Sequence, residues 1–179
     1  MLRNVLLGLV ALILIIVAGA YLTPRNVHVE RTVTIDASAE VIFPYLNNYQ
    51  HFYRWSPWSD RDPNATYAFE GPAEGVGARM TWSGNNQVGT GSQEITVSEF
   101  PNHLEAYLDF GGEGDAIAYF DLVPAEGGGT DVTWGFDTDM GMNPVARYMG
   151  LLMDKLVGAD YQQGLENLRD LVESEQAGE

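Results

Sequence analysis

The sequence predicts an α+β fold: a curved antiparallel sheet wrapped on one long C-terminal helix, preceded by an N-terminal transmembrane helix. Three observations predict it. Residues 5–23 carry no charge and are nearly all Leu, Ile, Val, Ala and Gly. Residues 27–139 hold short runs alternating apolar and polar, broken by glycine-rich joints. Residues 145–173 repeat apolar side chains at helical spacing. Strands followed by a helix point to α+β, and a twisted antiparallel sheet needs one face covered. The C-terminal helix is the element long enough to do so, and a sheet curling around it encloses a space that can be a ligand cavity.

The nineteen apolar residues 5–23 make a helix of about 28 Å, close to the hydrocarbon thickness of a bilayer. Thr23, Pro24 and Arg25 end it, and Tyr21 suits the interface. Residues 1–24 are read as a membrane anchor. The alternative is a cleaved signal peptide, because Ala18, Gly19 and Ala20 have the small-x-small form of a cleavage site. Arg3 on one side, and Arg25 and Arg31 on the other, give no orientation by the positive-inside rule. An anchor followed by a large acidic domain is read as single-pass, with that domain exported.

Residues 27–35 alternate as a strand, with Val27, Val29, Arg31, Val33 and Ile35 on one face. Ser38 caps a helix over 39–47. Residues 48–64 read as an aromatic, turn-rich loop. Strands are expected at 66–70, 78–83, 87–100, 103–110, 116–124 and 131–138, joined as hairpins. The stripe Tyr148, Met149, Leu152, Leu156, Leu165, Leu168 and Leu171 marks the last helix. It changes phase around Gly158, Ala159 and Asp160, which predicts a kink or a change of packing partner there. Residues 27–173 therefore form one domain, and 174–179 a polar tail expected to fray.

Composition narrows the chemistry. The 179-residue chain has no cysteine, which excludes a disulfide scaffold, a Cys-ligated metal site and a thiol nucleophile. Its net charge is −16, and −17 from Arg25 onward, which argues against nucleic acid and against electrostatic docking on anionic lipid. With 45% apolar and 11% aromatic residues it buries a real core. No phosphate loop, nucleophile elbow or zinc-helix motif is present. Gly75-Val-Gly77 lacks the third glycine of a dinucleotide fingerprint and reads as a turn. His28, His51 and His103 have no metal-ligand spacing, so no metal and no cofactor are expected.

The unusual content is aromatic. Tyr49, His51, Phe52, Tyr53, Trp55 and Trp58 fall within ten residues. They either cap the sheet as core or line the mouth of a cavity with flat, rotamer-poor rings. Alternation sets Met80 with Trp82, and Val132 with Trp134 and Phe136. It also sets Ile117 with Tyr119, against Ala116, Ala118 and Phe120. Glu70, Arg79, Glu94, Tyr107 and Asp109 are the candidates for buried acid–base chemistry, with the solvent face as their default place.

Several segments together resemble the START-like superfamily, also called SRPBCC or the polyketide cyclase/dehydrase group. They are residues 33–43, Trp55-Ser-Pro-Trp58, the stretch from Gly75 to Trp82, that from Gly129 to Trp134, and residues 158–168. The similarity is strongest to membrane-anchored bacterial members. It implies a helix-grip fold with a deep apolar cavity between sheet and C-terminal helix. No catalytic set runs through the family, so no catalytic residue is assigned. The ligand-lining candidates are Trp55, Trp58, Tyr67, Met80, Trp82, Phe110, Tyr119, Trp134, Met149 and Met153. Three functions follow: a membrane-tethered binder of a hydrophobic small molecule or lipid, a cyclase or dehydratase, or a protein-interaction module whose interior is filled. Titratable groups inside the cavity distinguish the second. A packed interior with an exposed apolar patch distinguishes the third.

Overall fold

Seven strands form one antiparallel sheet in the order β1-β7-β6-β5-β4-β3-β2 in the computed structural model, which describes residues 2–178. Met1 and Glu179, the outer ends of the expected anchor and tail, lie outside these. The elements are α1 (Leu2–Ala20), β1 (Asn26–Ile35), α2 (Ala39–Leu46), α3 (Tyr49–Trp55), β2 (Thr66–Glu70), β3 (Arg79–Ser83), β4 (Thr90–Glu99), β5 (His103–Asp109), β6 (Asp115–Pro124), β7 (Thr130–Asp139) and α4 (Pro144–Ala177). A single 3-10 turn, Gly111–Glu113, joins β5 to β6. The fold is the expected helix-grip arrangement.

The inner face of the sheet follows the alternation. Val29, Val33 and Ile35 of β1, Ala116, Ala118, Phe120 and Leu122 of β6, and Val132, Trp134 and Phe136 of β7 are all buried. Tyr161, Leu165, Leu168 and Val172 of α4 belong to the same core. Two glycines set how closely α4 lies on the sheet. A side chain at Gly158 would overlap the Arg31 guanidinium, and one at Gly164 would meet the Trp134 ring at 2.7 Å and Pro57 at 3.0 Å. Arg31, inward on β1, reaches past Gly158 to donate to Asp154 at 3.0 Å.

Two expectations change, and the alternative left open at Gly158 is decided. The stretch read as an aromatic loop contains α3: Asn48 caps it by accepting from the Gln50 and His51 N–H groups, and Tyr49, Phe52 and Trp55 recur every third residue on its buried face. The C-terminal helix is one continuous span, capped by the Asn143 side chain with Pro144 in its first turn. The phase change at Gly158 is thus a change of face: Met149, Leu152 and Leu156 are exposed, whereas Leu165 and Leu168 are buried. Finally, the segment expected to fray stays helical to Ala177, with Glu175 accepting from Tyr45 and Arg54.

The outer face carries two histidines between carboxylates. His28 Nδ1 lies 2.9 Å from Asp137, and Tyr119 donates to Glu30 at 2.8 Å beside it. His103 Nδ1 lies 2.6 Å from Asp121, with Glu105 at 3.3 Å from its other nitrogen. The hydrogen bond to Asp137 chiefly raises the His28 pKa; for His103 partial burial opposes the rise, but Asp121 and Glu105 outweigh it. A raised histidine stabilises the fold fully below its unfolded value and loses that contribution as pH rises through the folded one. The unfolding midpoint is therefore expected to be higher near pH ~6 than near pH ~8. His103→Gln should flatten that slope in thermal scans; an unchanged slope contradicts the assignment.

Candidate functional site

The middle of the grip is filled by rings. Tyr161 of α4 stacks on Trp134 with centroids 3.9 Å apart and planes 8° apart. Phe120 stacks on the same indole at 5.1 Å, and Trp55, Phe52 and Trp58 meet it edge-on at 5.4, 5.8 and 5.8 Å. Trp55 is pinned by donating its indole N–H to the Tyr45 carbonyl at 3.0 Å, and its own carbonyl accepts from Asn167 at 3.1 Å. Burial pushes the Tyr161 phenol pKa upward, so this hydroxyl stays neutral. Trp134 and Trp55, expected to line a ligand cavity, are packed core. Trp58 closes the side of this cluster.

The end of the sheet under α3 differs. Register sets Tyr67 opposite Trp82, Phe69 opposite Met80, Met80 opposite Gln93, and Gln93 opposite Leu108. All share the inner face. Trp82 meets Phe110 edge-on at 6.2 Å, and its ring passes over Gly91, where a Cβ would lie 2.6 Å from it. Tyr53 of α3 meets Tyr67 at 4.8 Å. Four of the predicted site residues, Tyr67, Met80, Trp82 and Phe110, are thus brought together here.

Within this apolar end, Gln93 Nε2 and the Tyr49 and Tyr67 hydroxyls are buried without a hydrogen-bond partner; Arg79 Nε is also unpaired, but on the other face of the sheet, opposite Glu94. Gln93 is 8% exposed and Tyr49 5%. Burial, and then the charge of Glu94, raises the Tyr49 pKa. Buried polar atoms are nearly always satisfied, so a group of unpaired ones is informative. A groove of about 230 Å³ lies between the start of α3 and the β2–β3 hairpin, lined among others by Asn48, Tyr49, Phe69, Gly71 and Arg79; Tyr49 reaches it, whereas Gln93 and Tyr67 do not line it. A second groove, of about 190 Å³, lies between the start of β1 and α4 near Val27 and Leu151.

Other candidates fall elsewhere. Tyr119 points away from α4, because Phe120 takes the inner position opposite Trp134 and Tyr119 pairs across from Gly135. Met149 is exposed on the outward side of α4, whereas Met153 packs against the core. Glu94 is half-exposed, and Glu70, Asp109 and Tyr107 are exposed. Tyr107 donates to Asp115 at 3.0 Å. Asp62, an acid buried in a loop, accepts from the Asn64 and Asn85 N–H groups at 3.0 and 2.7 Å and braces that loop.

Gln93 was absent from the expected lining. The register shift between Ile95 and Val97 breaks the alternation of β4, so the sequence alone does not place Gln93 on a face. Tyr49 stood only within the aromatic stretch read as core or cavity mouth, without the helix that carries it.

Comparison with known proteins agrees with the fold. A family model described as polyketide cyclase / dehydrase and lipid transport matches residues 26–173. No curated protein matches the chain. Among solved structures, a Staphylococcus aureus protein of unknown function superposes with a TM-score of 0.65 at 11% identity, covering 85% of this chain and 96% of that one. Ara h 8.0201 superposes at 0.61 with 14% identity, covering 83% and 99%. The di-domain ARO/CYC BexL from the BE-7585A biosynthetic pathway gives 0.57 at 12% identity, covering 82% of this chain and half of the other. At such identities these likenesses speak for the fold alone.

Proposed function

The chain belongs to the polyketide cyclase/dehydrase and lipid transport family, and on that premise we propose that its domain binds one hydrophobic small molecule or lipid bearing a polar group. The ligand lies between α3 and strands β2–β4. The observation that carries this reading is the set of unpaired polar atoms on Gln93, Tyr49 and Tyr67 at an otherwise apolar end of the sheet. Each such atom left unmet costs about 1–3 kcal/mol, and a ligand hydroxyl, carbonyl or carboxylate would meet it. The groove is smaller than the usual ligand pocket, so binding requires α3 and the β2–β3 hairpin to part. Edge strand β2 suits that movement: it has five residues, pairs only with β3 and is mostly exposed.

The acids named for cyclase-type chemistry, Glu70, Glu94 and Asp109, lie exposed or half-exposed away from the site, which supports binding over catalysis. We place α1 across the membrane as an uncleaved anchor with the domain exported. Its polar residues, Arg3 and Asn4, sit at the far end, and the rest of its length is apolar. Tethering raises the domain's effective concentration at the lipid surface. The filled ring cluster around Trp134 favours a second reading, the protein-interaction module.

A dansyl-labelled fatty acid titrated into the full chain in detergent separates the two. Gln93→Leu is expected to weaken its binding about tenfold, since 1.4 kcal/mol is one decade. The same change should stabilise the unliganded fold by about 1 kcal/mol, because it removes an unmet polar group. Affinity unchanged by Gln93→Leu, or no binding by the parent chain, contradicts the site.

A further inference from the structure

The outward face of α4 is apolar along its first half and polar along its second. Val145, Met149, Leu152 and Leu156 recur at helical spacing opposite the inward Val157–Tyr161–Leu165 side, and are between 44% and 70% exposed. Beyond Gly158 the same face continues with Gln163, Asp170 and Ser174, all exposed. A helix lying on a protein with its other side in water needs no such stripe.

Two further observations say what covers it. The end of α1 is hydrogen-bonded to the start of α4: Tyr148 donates to the Ile16 carbonyl at 2.8 Å and Tyr21 to the Met142 carbonyl at 3.1 Å. The stripe therefore begins where the apolar helix ends. The segment 140–159 is also charge-poor, holding only Arg147, Asp154 and Lys155 in a chain of net charge −16. The acidic remainder of the domain is unsuited to lipid; this segment is not.

We infer that the first half of α4 lies on the surface of the bilayer that α1 enters, with Val145, Met149, Leu152 and Leu156 at the level of the headgroups and upper acyl chains. This rests on reading α1 as a membrane span. Attachment is by apolar insertion and not by charge, so zwitterionic lipid is sufficient. The consequence for function is orientation: two contacts, α1 and the α4 stripe, hold the domain in one pose on the membrane.

The absence of cysteine allows a clean test. The full chain is reconstituted into phosphatidylcholine vesicles carrying bromine on the acyl chains, with one fluorophore attached through Leu152→Cys, Met149→Cys, Gln163→Cys or Leu12→Cys. The expected result is strong quenching at 12, quenching at 149 and 152 at least about threefold greater than at 163, and no loss of it in high salt. Quenching at 12 with none at 149 and 152 overturns the inference and leaves the anchor standing. If those probes are then also shielded from iodide in the water phase, a second copy or α1 itself covers the stripe. Equal quenching at 152 and 163 also overturns it. No quenching at 12 removes the membrane span, and the inference with it.

Discussion

Trp134→Ala is expected to destabilise the domain by about 4 kcal/mol, the middle of the range for deleting a buried aromatic side chain. Trp134 is 3% exposed and meets five rings, Phe52, Tyr161, Phe120, Trp55 and Trp58, with Phe136 edge-on to Tyr161 behind them. The neighbours are pinned from two sides, by Gly164 against the indole and by the Trp55 hydrogen bond to Tyr45. The hole left behind cannot collapse easily. Denaturant titration of the full chain in detergent reads the loss. Trp82→Ala makes the contrast: its ring is half-buried at the far end of the sheet, so a smaller loss of stability is expected together with loss of the fatty-acid probe. Equal, small stability losses for the two would show that the centre of the grip is loosely packed, and the ligand site would move there.

The second large effect is expected at Arg147. Its guanidinium is buried, donates from Nε to the Gly141 carbonyl and from Nη1 to the Thr23 carbonyl, both at 2.9 Å, and lies 5.6 Å from the centre of the Tyr21 ring. It joins the chain leaving α1 to the loop entering α4. Hydrogen bonds from a charged donor are worth about 1.5–3 kcal/mol each, and the ring contact adds to them. Arg147→Ala should cost about 3 kcal/mol at this junction. Hydrogen exchange at residues 23–26 and 141–148 should then speed up about a hundredfold, while β6 and β7 keep their protection. Uniform acceleration across the sheet would mean that the junction is part of one global unit.

The course of the chain was legible because its alternation is regular. Strand β2 was expected at the residues where it lies, and β1, β6 and β7 within one residue at each end. The elements misread are those whose signals interfere. Asn48 is a good helix cap, but the prolines and rings that follow α3 disguise seven residues of helix as loop. The stripe on α4 was correctly seen to change phase, yet periodicity does not say which half faces the sheet. Gly158 and Gly164, which admit Arg31 and Trp134, decide that, and they show it only in three dimensions. This is why Met149 was grouped with the lining and proves to be outside. Tyr119 was already set opposite Phe120 by alternation, and only the structure shows which of the two faces α4. At the site, the rings were readable, Tyr67 among them, and the buried amide of Gln93 was not. Gln93 is a glutamine in a bulged strand until Met80 and Leu108 are seen on either side of it.

The central claim is that the unpaired Gln93, Tyr49 and Tyr67 mark a ligand site. Native mass spectrometry of the full chain, released gently from its own membranes, tests it most directly. The account predicts one stoichiometric organic molecule on the parent protein, apolar with a polar end, and its loss from Gln93→Leu. Bare protein in both samples, with amides of β2–β4 equally protected from exchange, would contradict it and turn attention to protein partners.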